Sequence, residues 1–115
     1  MSFWRKEVID FALDRETRAH IDEQRAWILR EPANPKPYFH LAQLYRVSSR
    51  PAEALGLLLE AVRLNPDFAA AHASLAEMYS LAGDYPAAWR HARIAQANGL
   101  PHAAEMLARN RVTPT

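Results

Sequence analysis

The chain has 115 residues, half of them hydrophobic by the broad count, with 14 Lys and Arg against 13 Asp and Glu for a formal net charge of +1. That length fits one domain with a sizeable core, and a charge so near zero gives no global electrostatic case for nucleic acid or an anionic membrane. There is no cysteine, which excludes disulfides, thiolate metal sites and cysteine nucleophiles.

The N-terminal segment "MSFWRKEVIDFALDRE" mixes charges every few residues and lacks the uninterrupted apolar run of a signal peptide. No stretch reaches 18 consecutive apolar residues, so no helix is expected to span a membrane, and a cytoplasmic location is the expectation. Residues 1–34 read as two helices near 2–13 and 15–31, with Asp14 capping the second. No Gly or Pro occurs between residues 1 and 31, so one long helix is the alternative. Trp4, Val8 and Phe11 share a helical face, with Ile9 and Leu13 roughly opposite. Either both faces pack onto the rest of the chain, or one stays open for self-association or docking.

Residues 37–48, "PYFHLAQLYRVS", place Tyr38, Leu41, Ala42, Leu44 and Tyr45 at the i, i+3, i+4, i+7 spacing of an amphipathic helix. "SSRP" breaks it, and Pro51 suits the first turn of the next helix. That helix carries Ala54, Leu57, Leu58, Ala61, Val62 and Leu64 and ends at "NPD". "FAAAHASLAEMYSLA" follows as a helix. Gly83 suits a left-handed C-terminal cap and Asp84 an N-cap. "YPAAWRHARIAQAN" runs to the stop signal Asn98–Gly99, "LPHAAEMLARN" gives a shorter helix, and "RVTPT" reads as a frayed tail.

The punctuation recurs every 34 residues. "LAQLY" at 41–45 returns as "LAEMY" at 75–79, so Leu41 matches Leu75, Ala42 matches Ala76 and Tyr45 matches Tyr79; Ala54 likewise matches Ala88, and Ala61 matches Ala95. The small residues permit close approach of antiparallel helices, and Leu41, Tyr45 and Leu58 fill the space between them. Trp4, Phe11 and Pro32 lie one period before Tyr38, Tyr45 and Pro66. His20 and Trp27 then fall where Ala54 and Ala61 set the rule, whereas a shift of one residue puts Ala19 and Ala26 there. Leu107–Ala108 repeats the "LA" pair 32 residues after Leu75–Ala76.

With Tyr38, Leu41, Ala42, Tyr45, Ala54, Leu58, Ala61 and Pro66, then His72, Leu75, Ala76, Tyr79, Ala88, Ala92 and Ala95, the chain resembles the tetratricopeptide repeat family. His72 replaces the usual aromatic and Ala92 a bulkier residue, departures that would loosen the second repeat. The resemblance implies an all-α fold, a right-handed superhelical array of antiparallel helix pairs with an N-terminal helical extension and a C-terminal capping helix. The expected division is 1–34 as a degenerate leading repeat, 35–68 and 69–102 as two repeats, 100–110 as the capping helix and 111–115 as a flexible tail.

The same resemblance implies a non-enzymatic adaptor that holds a peptide or helix of a partner protein in a concave groove. The groove positions carried over are Lys36, Phe39, His40, Gln43, Arg46 and Val47, then Ala70, Ala73, Ser74, Glu77, Ser80 and Leu81, with Glu105 and Arg109 from the last helix. Family members that bind chaperone tails clamp a C-terminal carboxylate with Lys and Asn. Here those positions hold Phe39, Gln43 and Ser74, so the clamp is absent. The alternatives are self-assembly through the Trp4, Val8 and Phe11 face, giving a homodimer, or an accessory domain of a larger complex. No nucleophile or phosphate-loop motif occurs, and no two of the five histidines are three or four apart. No catalytic residue, metal or cofactor is expected, and neither nucleic acid binding nor membrane insertion.

Overall fold

The computed structural model describes residues 2–110 and 112, with side chains from Asp14 onward. All regular structure among them is helical: α1 (Ser2–Arg30), α2 (Pro35–Val47), α3 (Pro51–Leu64), α4 (Ala69–Leu81), α5 (Tyr85–Ala97) and α6 (His102–Arg109). Consecutive helices pack together, α2 on α3 and α4 on α5 most extensively, and α4 also meets α6.

The helix ends follow local chemistry. Prolines occupy the first turns of α2, α3 and α5, where an amide hydrogen would have no helical acceptor. Asn34 accepts the Lys36 amide at 3.0 Å and Asp84 the Ala87 amide at 3.2 Å, each satisfying one orphan donor. Three helices end in the same Schellman turn. Arg50 donates to the Tyr45 carbonyl, Asp84 to Tyr79 and Leu100 to Ala95, at 2.8, 2.9 and 2.8 Å. The left-handed residue is Ser49 (φ 60°) in the first, Gly83 (φ 81°) and Gly99 (φ 96°) in the others.

The core follows the 34-residue period. Ala42, Ala54, Leu58 and Ala61, and one period later Ala76, Ala88, Ala92 and Ala95, have no exposed surface. Leu41, Tyr45, Leu75 and Ile21 join the first group in one cluster; Ala73, Ala103, Ala104 and Leu107 complete a second around Trp89. Tyr38 donates its hydroxyl hydrogen to the Pro32 carbonyl at 2.7 Å, and His72, one period on, places Nε2 2.7 Å from the Pro66 carbonyl. The imidazole therefore keeps the hydrogen bond of the aromatic residue it replaces.

Two expectations are corrected. The break at Asp14 is absent and α1 is one helix of 29 residues. Nothing in 1–31 terminates a helix, and Asp14 pairs with Arg18 one turn on at 2.7 Å instead of capping. The shifted register is also not used. Ala19 and Ala26 are exposed, whereas Ile21 and Ile28 pack toward α2, one period before Leu55 and Val62. Residues 14–30 thus occupy the place of a second helix of a pair. The tail needs a smaller amendment. Val112 is half-buried, its amide donating to the Leu107 carbonyl at 2.9 Å and its carbonyl accepting from Trp89 Nε1 at 3.1 Å. Residues 111 and 113–115 lie outside the described residues.

Candidate functional site: the face shared by α2, α4 and α6

Polar side chains link α2 to α4 and α4 to α6. Gln43 on α2 donates through Nε2 to Ser74 Oγ on α4 at 2.9 Å. Arg46, one turn further, reaches Glu77 Oε2 at 3.2 Å and lies 3.4 Å from its own helix's Gln43 Oε1. Glu77 Oε1 in turn faces His102 Nε2 of α6 at 3.8 Å. A ladder of polar groups therefore crosses three helices on one face. Its Arg–Glu pair is about two-thirds buried, with side-chain exposures of 24% and 35%.

This placement sorts the residues carried over from the family pattern. Gln43, Arg46, Ser74 and Glu77 converge, bonded to one another. Phe39 is half-buried, its ring 5.2 Å from that of Phe68 and 5.5 Å from that of His40, so it serves packing as well as surface. Ala73 is buried; Ala70 and Ser80 are partly exposed. Lys36 and His40 are exposed, as are Glu105 and Arg109 on α6. Val47 and Leu81 are the outliers, two large apolar side chains 76% and 85% exposed. They stand one period apart, at the same turn of neighbouring helices. Trp4, Val8 and Phe11, the expected docking face, have side chains outside the described residues.

Sequence reasoning missed two things. His102 enters the ladder from another helix, and its separation of 25 residues from Glu77 carries no helical signal. A cleft of about 470 Å³ between α1 and α2 was also unforeseen, with Gln24, Trp27, His40 and Leu44 in its wall. The only hint was that His20 and Trp27 break the small-residue rule.

A second polar pair joins α4 to α5, with His72 buried and His91 half-buried. Because Pro66 can only accept, His72 Nε2 carries the proton and Nδ1 offers its lone pair to His91 Nδ1–H, 2.9 Å away. Tyr79 stacks on the other side of His91, ring centroids 5.6 Å apart. Burial, with His72 and Arg90 nearby, pushes the His91 imidazole down to about 4. Among the described residues no group of three or more His, Cys, Asp or Glu side chains is placed to hold a metal ion. No helix among them is long and apolar enough to cross a membrane.

Residues 57–90 match the family model of the tetratricopeptide repeat. The matched stretch is one 34-residue period, running from the middle of α3 through α4 into α5. That stretch is therefore similar to a single tetratricopeptide repeat, and such repeats generally mediate protein–protein interaction. No curated protein matches the chain.

Proposed function

We propose that the chain is a non-enzymatic, cytoplasmic adaptor that binds a peptide or helical segment of a partner protein on the face shared by α2, α4 and α6. The pairs 35–68 and 69–102 act as successive repeats of a right-handed superhelical array, which curves that face into a concave groove. The observation that carries the reading is the pair of exposed, repeat-equivalent apolar side chains Val47 and Leu81 beside a polar ladder. Neighbouring packed helices lie about 8–10 Å apart. A peptide in the polyproline II conformation, at about 3.1 Å per residue and three residues per turn, covers that distance in about three residues and returns to the same side. A ligand with two apolar side chains three residues apart therefore reaches both, and its backbone polar groups meet Gln43, Arg46 and Glu77.

The interior of the ladder supports positioning more than capture. Arg46 is neutralised by Glu77, so no cluster of free cations stands ready for a terminal carboxylate, and Phe39, Gln43 and Ser74 supply none. An acidic C-terminal chaperone peptide is accordingly expected not to bind; a micromolar dissociation constant that disappears when the peptide carboxylate is amidated would contradict the proposal. The positive test is selection from a random 12-residue peptide library on the immobilised protein. Enriched sequences should carry apolar residues at i and i+3, and Val47→Asp with Leu81→Asp should weaken their binding at least tenfold with helicity unchanged. Undiminished binding by the double variant would place the site elsewhere.

A further inference from the structure

The first described helix pair is incomplete. Residues 14–30 stand to α2 as α3 stands to α4, with Ile21 and Ile28 in the places of Leu55 and Val62. On α3 the face formed by Ala54, Leu58 and Ala61 is sealed in a cluster with Leu41, Ala42 and Tyr45 of α2. The matching face of α1 is His20, Gln24 and Trp27. No helix seals it among the described residues: His20 is exposed, Trp27 half-exposed, and the three line the cleft toward α2. Gln24 Oε1 is a buried side-chain atom without a hydrogen-bond partner. The other end of the molecule is closed, since α6 buries Ala103, Ala104 and Leu107.

The segment whose sequence fits the vacant slot is residues 2–13, in which Trp4 and Phe11 fall one period before Tyr38 and Tyr45. Its own chain cannot deliver it. The helix is continuous from Ser2 to Arg30, and a continuous helix does not fold back on itself. We propose that the slot between α1 and α2 is filled by residues 2–13 of a second copy, so that two chains exchange their N-terminal helical segments across a two-fold axis. Exchange of an identical element gives a closed, isologous dimer, because each copy both fills and offers one slot.

The repeat fixes the pairing. Tyr45 and Ala54 share a cluster, so Phe11 of one copy lies beside His20 of the other, with the two α1 helices antiparallel over about 43 Å at 1.5 Å per residue. The bulk of His20 and Trp27, where α3 has alanines, sets the helices further apart than in the second pair. The wall of the slot includes His40, Gln43 and Val47, so the exchanged segment covers the Val47 end of the proposed groove and competes with a peptide bound there.

The absence of cysteine makes the test clean. Light scattering on the full chain should give twice 13.0 kDa, and deletion of residues 2–13 should return a monomer of unchanged fold by circular dichroism. Mixing the single variants Phe11→Cys and His20→Cys under mild oxidation should yield a disulfide between chains. A monomer at all concentrations, a dimer that survives the deletion, or a disulfide that closes within one chain of the double variant would overturn the exchange.

Discussion

Ser49 and Gly83 occupy the same position one period apart, and both lie in the left-handed region. An L-residue with a side chain is held there at a cost of about 1–2 kcal/mol that glycine escapes. Ser49→Gly should therefore raise the urea midpoint, with a net gain of roughly 0.5–1 kcal/mol after glycine's larger entropy loss. Gly83→Ala should lower it. Gly83 was legible as a cap in the sequence because glycine advertises the conformation; Ser49 was not, since serine enters it only under the pull of the surrounding turn. The His72–His91 contact was equally hidden, because residues 19 apart meet only after two helices have packed. Its consequence is a pH dependence. The His91 value of about 4 lies below the ordinary 6.5, so folding favours the neutral ring. Its contribution is complete above pH 6.5 and declines as the pH falls toward 4. Chemical denaturation at pH 7.5 and 4.5 should show a smaller acid loss for His91→Gln than for the unaltered chain.

At the level of elements, the period was legible wherever small residues and breakers coincide. α2, α3 and α5 begin at the prolines, asparagine and aspartate that mark them, while α4 starts at Ala69 just after "NPD" without a side-chain cap; the five matched identities are packing residues. Leu58, fully buried between α2 and α3, illustrates the energetics: Leu58→Ala should cost about 2–5 kcal/mol, read as a lowered midpoint in thermal or urea unfolding. α1 was less legible because two signals compete. The period argues for a turn near residue 14, but the residues there are good helix formers with an Asp14–Arg18 pair spanning the site. Local helical preference wins, and the second half of α1 keeps its place in the array without a first half folded against it. The tail misled for another reason. A short polar sequence reads as frayed, yet Val112 bonds Trp89 and Leu107, contacts invisible in composition. Trp89→Phe should remove the bond to the Val112 carbonyl and cost about 1 kcal/mol.

Over the whole molecule, two layers divide the labour. Residues shared between repeats lie between the layers and specify packing. Residues that differ between repeats, Gln43 against Glu77 and Arg46 against Ser80, lie on the face of α2 and α4. In the sequence these looked like separate groove contacts. The structure bonds Gln43 to Ser74 and Arg46 to Glu77, which leaves Lys36, His40, Val47 and Leu81 as the exposed part of that face. Family pattern alone named all of them without ranking them, because pairing across helices depends on side-chain reach rather than spacing. The measurement that tests the account most directly is amide chemical-shift mapping of the ¹⁵N-labelled protein against a library-selected peptide. The account predicts perturbations concentrated on α2 and α4, around His40, Val47, Ser80 and Leu81, with α3 and α5 little changed. Shifts concentrated on α3 and α5 would contradict it.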